Sequence, residues 1–315
     1  MPTSNSDQRL MVRCSQLYYE EGLSQVDIST KLGVSKSTVS RILSRAKKVG
    51  VVQFFVNNPF DHDYLDLEKK LEAKYQLNEV IIVEEQANDE QLKETLAMAA
   101  AKYLERIVKT HYRIGVTWGT TVSKVSKYIE INRDYDVEVF PLTGGLGSAT
   151  AEIHPNQIAS RIAAKFGTSA HLLHAPGMVK TLDQKKSFIN EKSIADILKE
   201  YDNLDVILSG IGSPALNTST MLATNYYTQA EMKELVSKGA TADVATLILD
   251  HEGKWEPFQS NDRIIGITLD QIKNARYSIG IAGGLAKLNA IKAVLKGQYF
   301  NALIIDSATA QELIH

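Results

Sequence analysis

From Glu79 onward, short apolar runs alternate with helical stretches, and this alternation is what most limits the folds open to the chain. The runs lie at 80–83, 114–118, 137–142, 170–175, 206–209, 244–249, 264–268, 279–282 and 303–306. Each has strand length, and most are rich in β-branched residues. Between them, 90–108, 187–199, 229–238 and 285–296 carry helical periodicity. Near-continuous apolar strands separated by helices are buried on both faces, which predicts an α/β domain with a mainly parallel sheet. The predicted organisation is a small domain over 1–57, a linker helix within 58–78, and a large domain over 79–315. Asn57-Asn58-Pro59 punctuates the boundary. A helix expected over 61–75 carries a stripe of Tyr64, Leu67, Leu71 and Tyr75, which suits packing on its own domain or on a second subunit.

The small domain reads as three helices and a strand. Leu10, Cys14, Leu17 and Tyr18 recur at helical spacing, and Gly22 ends the first helix. Ser24 with Asp27 has the form of a capping box for the second, Gly33 breaks it, and Ser35 caps a third running to about Lys48. After Gly50, residues 51–56 are a strand candidate for the edge of a wing. A helix-turn-helix needs a small residue where the helices touch, a residue tolerant of positive φ in the turn, and apolar locking residues. Ser29, Gly33 and Val39 fill those places, with Ile28, Leu32, Val34 and Ile42 as the apolar contacts. Most helix-turn-helix sequences carry Ala where this chain has Ser29.

Charge sharpens that reading. The formal net charge is −2, yet no Asp or Glu occurs from Ile28 to Phe60, where Lys31, Lys36, Arg41, Arg45, Lys47 and Lys48 cluster. A local basic stretch on a weakly acidic chain is the footprint of a DNA-reading module. The outward face of the third helix carries Lys36, Ser37, Thr38, Ser40, Arg41 and Arg45. Ser37, Thr38 and Arg41 suit base edges, while Lys36, Arg45 and Lys47 suit phosphates. Gln25 stands where the second helix would meet the DNA backbone. The plainer alternative, a helical hairpin with a solvated basic face, does not account for the ordered apolar and Gly spacing.

In the large domain several strand ends run into Gly- or hydroxyl-rich turns: Gly119-Thr120-Thr121, Thr143-Gly144-Gly145, Gly210-Ile211-Gly212 and Gly283-Gly284. Open α/β sheets bind ligands beyond the C-terminal ends of their strands, and Gly lets backbone approach an anion there. Gly119-Thr120-Thr121 before a helix has the form of a phosphate grip, with Lys287, one turn into the helix after Gly283-Gly284, as a cation for the same phosphate. Asp243 and the pair Asp262-Arg263 are candidates to bond sugar hydroxyls, or else turn-capping charges. No turn matches a nucleotide-binding fingerprint, and no cofactor is expected. His154, His171 and His174 lack accompanying cysteines or carboxylates, so no metal site is expected. A single cysteine, Cys14, allows no internal disulfide, and no apolar run approaches membrane-spanning length; a cytoplasmic protein is expected.

Taken in order, the chain resembles the SorC family of sugar-responsive transcription regulators over essentially its whole length. The resemblance is carried by Leu17-Tyr18-Tyr19-Glu20, Ser24 to Ile28 and Val34 to Leu43, then by Gly115 to Thr121, Leu142 to Gly145, Asn261 to Gly266, Ala282 to Gly284 and Leu303 to Asp306. It implies a sensor domain related in fold to phosphosugar isomerases and deaminases but stripped of their activity. It implies oligomers, commonly homotetramers, on operator DNA, with a phosphorylated sugar changing DNA affinity. It also implies that Thr120, Thr121 and Lys287 surround the effector phosphate, with the loops at Gly144, Gly210 and Gly283 nearby. Some members carry Lys just before the Gly-Gly pair, suited to a Schiff base; here that residue is Thr143, which implies noncovalent binding. Two other classes stay in view. A phosphosugar enzyme would need a carboxylate base, and Asp183, Asp243 and Asp262 are available although no motif marks one. A constitutive architectural DNA-binding protein would leave the Gly-lined sensor unexplained.

Overall fold

Two serines open helices as their spacing predicts. In the computed structural model, which describes residues 5–53, 64–131, 135–147, 151–215 and 220–315, the chain divides into two units, 1–63 and 64–315. The first contains α1 (Asn5–Tyr19), α2 (Gln25–Leu32) and α3 (Lys36–Lys48). Ser24 Oγ accepts the Asp27 amide at 3.3 Å and donates to Asp27 Oδ2 at 2.7 Å; Ser35 Oγ accepts the Thr38 amide at 3.1 Å. Each cap satisfies an amide that its helix leaves orphaned, at about 1 kcal/mol. Gly33 takes φ 65° in the turn, as the motif requires. Cys14, Leu17, Ile28, Val39 and Leu43 form the core of this unit. Of the strand expected over 51–56, residues 51–53 are bend and coil, and 54–56 lie outside the described residues, as do the boundary tripeptide 57–59 and the start of the helix expected over 61–75.

The second unit begins with α4 (Leu65–Tyr75), β1 (Glu79–Val83), α5 (Asp89–Ile107), β2 (Arg113–Val116), α6 (Val122–Tyr128), β3 (Glu138–Pro141) and α7 (Pro155–Lys165). It continues through α8 (Leu182–Asn190), α9 (Lys192–Glu200), β4 (Val206–Gly210), α10 (Thr220–Ala223), α11 (Gln229–Ser237), β5 (Ala242–Val244) and β6 (Leu247–Leu249). It closes with α12 (Leu269–Asn274), β7 (Tyr277–Ile281), α13 (Leu288–Gly297), β8 (Ala302–Asp306) and α14 (Ser307–Ile314). Six strands form one parallel sheet in the order β1-β8-β7-β4-β2-β3. Its inner strands are buried on both faces, β8 along its whole length, and this is why their sequences read as unbroken apolar runs.

Three expected strands differ from the structure. The run at 244–249 is a hairpin, β5 with β6, standing apart from the main sheet. Its turn residues Ala245 and Thr246 take φ 50° and 75°, the double positive-φ geometry of a tight hairpin, without the Asn or Gly that normally announces it. The runs at 170–175 and 264–268 make only isolated bridges, Val139 with Ala170, and Thr143 and Met178 with Gly266 and Ile264. The helix expected over 187–199 is instead α8 and α9, parted at Glu191 by extended backbone. The residues of the α4 stripe, Leu71 buried and Tyr64, Leu67 and Tyr75 partly so, pack into the core of the second unit.

The turn at 143–145 is a backbone junction. Gly144 N–H donates to Ile265 O at 3.0 Å, Gly145 N–H to Ala175 O at 2.7 Å, and Gly177 N–H to Gly145 O at 2.7 Å. Tyr226 Oη accepts the Gly177 amide at 3.0 Å and donates to Gly145 O. A Cβ on Gly144 would lie 2.5 Å from the carbonyl oxygens of both Ala175 and Pro176. Rigid backbone on that side leaves no way to yield, so Gly144→Ala is expected to destabilise the chain by about 2–3 kcal/mol, read as a lower urea midpoint at unchanged slope.

Candidate functional site

β2 continues through α6 to β3 at one edge, whereas β4 leads on to β7 on its other side, so the chain diverges at the C-terminal ends of β2 and β4. Such a divergence leaves a crevice beyond the strand ends. A cavity of about 420 Å³ opens there, walled by residues 117–122, 210–213, 283, 284, 286 and 287, the start of α5 and the β5 hairpin.

The residues after β2 build the first wall. Thr117 donates its amide to Leu208 O at 3.0 Å, and its Oγ1 accepts the Gly210 amide at 3.3 Å, which locks the two strand ends together. Gly119 takes φ 133°, where a side chain would be strained. Thr121 occupies the cap position of α6, yet its side chain makes no capping bond. The Ser123 and Lys124 amides are taken by Gly119 O at 2.9 Å and Thr121 O at 3.1 Å, so this wall offers the Thr120 and Thr121 hydroxyls together with the backbone ahead of Ser123.

The second wall follows β7. The Gly284 amide donates to Asp306 Oδ2 at 2.7 Å, and a Cβ on Gly283 would stand 2.5 Å from that oxygen. Lys287 ends a short 3₁₀ turn, Leu285–Lys287, ahead of α13, rather than lying one turn into a helix. Its Nζ donates to Ile211 O at 3.0 Å across the cavity wall. The third wall is Asp243 of β5, 7% exposed. It exchanges backbone bonds with Gly212 at 2.9 and 3.1 Å, and a Cβ on Gly212 would fall 2.0 Å from its Oδ1. Only glycine lets that carboxylate reach the cavity. Trp118 Nε1 donates to Thr246 Oγ1 at 2.9 Å and pins the hairpin bearing Asp243.

Burial pushes the Asp243 carboxyl up to about 6, against the pull of the Lys287 charge. It also lowers the Lys287 ammonium, with Asp243 opposing. Among the described residues Lys287 Nζ has only the Ile211 carbonyl as a hydrogen-bond acceptor, and burial outweighs the mutual pull of the two charges, the usual mark of a binding cleft. A ligand with an anionic end and hydroxyl groups supplies both with partners.

Of the expected effector residues, Gly119, Thr120, Thr121, Gly210, Gly212, Asp243, Gly283, Gly284 and Lys287 line this cavity, whereas Thr143, Gly144 and Gly145 do not. Asp262-Arg263 is also outside it; Asp262 is exposed, and its backbone oxygen accepts Lys185 Nζ at 2.9 Å. His171 stacks on Phe140 at 4.5 Å and meets Glu138 Oε1 at 3.1 Å. Residues 171–174 form no strand. Among the described residues no cluster of three His, Cys, Asp or Glu is placed to hold a metal. Sequence reasoning missed Lys93 and Asp89, paired at 2.5 Å, because an i, i+4 pair on a charged helix reads as ordinary surface. It also missed Thr220, while Ser213, which closes the turn begun at Ser209, lines the cavity as well.

On the first unit, α3 buries Val39, Leu43 and Ala46 and exposes Lys36, Ser37, Ser40, Arg41 and Arg45. Thr38 is half-buried; its hydroxyl lies 2.8 Å from Ser35 Oγ and accepts Arg41 Nη2 at 3.4 Å, which ties it into the cap. Beside the exposed face is a notch of about 310 Å³ lined by Tyr18, Tyr19, Gln25, Ser40, Leu43, Ser44 and Lys47. Lys47 Nζ stands 5.8 Å from the Tyr19 ring centre. Polar donors on a cationic flank of α3 suit an anion such as a backbone phosphate, and Tyr18, Tyr19 and Ser44 are additions to the expected set.

Comparison with known proteins follows the same division. A family model described as "Putative sugar-binding domain" matches residues 61–315, and one for sigma-70 region 4 matches residues 13–48. The chain is 29% identical to the sorbitol operon regulator of Klebsiella pneumoniae over 99% of both chains. It is 31% identical to the deoxyribonucleoside regulator of Bacillus subtilis (strain 168) over 98% of both. The crystal structure of the full-length sorbitol operon regulator SorC from Klebsiella pneumoniae superposes with a TM-score of 0.76 at 27% identity, covering 99% of this chain and 100% of that one.

The raised Asp243 pKa fixes the sign of a pH effect. Between its ordinary 3.8 and about 6, the folded chain holds a proton that the unfolded chain has released. The associated stability is full below about pH 4 and lost as pH climbs through 6. Asp243→Asn is therefore expected to unfold at higher denaturant than the parent at pH 7.5, by up to about 3 kcal/mol, and to match it near pH 4. Parallel urea titrations at the two pH values check this.

Proposed function

From the premise that the chain belongs to the SorC family of transcription regulators with a sugar-binding domain, we propose that the cavity at the β2–β4 divergence binds a phosphorylated sugar noncovalently and thereby changes operator affinity. The observation that carries this reading is the convergence of Gly119-Thr120-Thr121, Gly283-Gly284 and Lys287 on one cavity that also holds Asp243. The donors and the cation suit a phosphate, and the buried carboxylate suits sugar hydroxyls that donate to it. Thr143 stands where a Schiff-base lysine would be needed, fully buried and outside the cavity lining, which supports reversible binding. The relatives are regulators rather than enzymes. Of the carboxylates weighed as bases, only Asp243 lines the cavity, while Asp183 and Asp262 are exposed.

On DNA, α3 is the reading helix. Ser37 and Arg41 address base edges, while Lys36, Arg45 and the notch beside Lys47 and Gln25 hold phosphates. A homotetramer working in the cytoplasm is the assembly we infer, since linked reading helices gain effective concentration on paired half-sites. A ligand shifts operator affinity only through its differential binding to the two arrangements of such an assembly.

Thermal melting against a panel of sugars and their phosphates is the direct test. A true effector raises the midpoint by mass action, and the phosphorylated form is expected to do so where the free sugar does not. Equal shifts from both forms would refute the phosphate assignment. Lys287→Ala and Thr120→Val are expected to abolish the ligand-induced change in operator binding while basal binding persists. Arg41→Ala is expected to weaken operator binding by about 1–3 kcal/mol in a gel-shift titration, with the melting response to ligand unchanged.

A further inference from the structure

We propose that Asp306 is a positioning residue that ties the Gly283-Gly284 turn of the cavity to α4, through α14, so that the state of the turn is felt at the helix next after the DNA-binding unit. This rests on the effector reading of the cavity, and it adds a route by which that site acts on the rest of its own unit.

Asp306 ends β8 and is 2% exposed. Its two carboxylate oxygens serve different masters. Oδ2 accepts the Gly284 amide at 2.7 Å, and Oδ1 accepts the Thr309 amide at 3.0 Å as the cap of α14. A carboxylate is planar and rigid, so a displacement of the turn that drags one oxygen turns the other against the first amides of α14. Gly283 lets this happen at close range, since a Cβ there would clash with Oδ2. The neighbouring Ser307 Oγ accepts the Glu85 amide at 3.2 Å and so also holds the loop leading to α5, whose Asp89 and Lys93 line the cavity.

The far end of α14 carries the other half of the tie. Leu313 O accepts Lys74 Nζ at 2.8 Å and Tyr75 Oη at 3.0 Å, and Ile314 O accepts Lys74 Nζ at 2.9 Å. Lys74 and Tyr75 form the last turn of α4. With only eight residues, α14 is a short strut whose ends are hydrogen-bonded to different elements. Its backbone hydrogen bonds let the eight residues move as one body, so a displacement at one end is carried to the other.

The test works from the far end. Lys74→Met combined with Tyr75→Phe deletes the bonds to α14, keeps the apolar bulk and touches no cavity residue. Hydrogen–deuterium exchange of the full chain, resolved to single amides and without ligand, is the readout. The double variant is expected to exchange at least about fivefold faster at the Gly284 and Thr309 amides, with the Gly210 amide unchanged. Asp306→Asn is expected to produce the reverse image, faster exchange at Leu77, whose amide closes the end of α4 on Glu72 O. Parental exchange at Gly284 in the double variant overturns the proposal, and so does an equal acceleration at Gly210, which would mean general loosening. A second arm adds inorganic phosphate as the probe. Slowed exchange at both Gly284 and Leu77 in the parent, but at Gly284 alone in the double variant, supports the tie. Slowing confined to Gly284 in the parent refutes it. No slowing at Gly284 counts against the effector reading of the cavity, and the ligand-free result still decides the tie.

Discussion

Everything in the larger unit is organised around one adjacency, that of β2 and β4. Register between them is set by backbone bonds from Ile114 against Val206 to Val116 against Leu208, then extended by Thr117 to Gly210. Because the onward connections leave in opposite directions, a gap is left beyond these two strand ends. The cavity is thus a product of topology, and the side chains only decide what it holds. A half-buried lysine and a carboxylate pushed toward neutrality give it an appetite for a partner that is anionic at one end and hydroxylated at the other.

Four glycines of this unit differ in what presses on them. At Gly212 and Gly283 the nearest obstacle to a Cβ is a carboxylate, Asp243 in one case and Asp306 in the other. At Gly144 and Gly266 the obstacle is main chain. The first kind brings an acidic group close to a ligand or a loop; the second closes backbone on backbone around the small core of Leu173, Ala175, Val179, Ile194 and Ile265. A sequence shows both kinds as the same letter.

That distinction explains where sequence reading succeeded and where it stopped. The helix-turn-helix was legible because its determinants are local: caps at Ser24 and Ser35, the turn at Gly33, apolar residues at helical spacing. The parallel sheet was legible because strands covered on both faces lose polar alternation. Eight of the expected effector residues came together because parallel strands put their C-terminal turns at one end, and the ninth, Asp243, is brought in by the separate β5 hairpin. The same rule overreached at 143–145, since a turn at the correct end of the sheet need not face the crevice. The split at Ala245 and Thr246 was invisible, for neither residue advertises a left-handed backbone. The two-sided role of Asp306 depends on partners 22 residues upstream and 3 residues downstream, and no local pattern encodes the first.

The outer edge of β1 carries a final consequence. Its Val80 and Ile82 amides, which point away from the sheet, are taken at 3.0 and 2.9 Å by Glu72 and Glu68 of α4. An open strand margin normally invites a foreign strand, and here two glutamates occupy the sites such a visitor would need. This margin is consequently sealed against growth by strand addition, and copies of the protein that meet on this side must recognise one another through the surface of a helix.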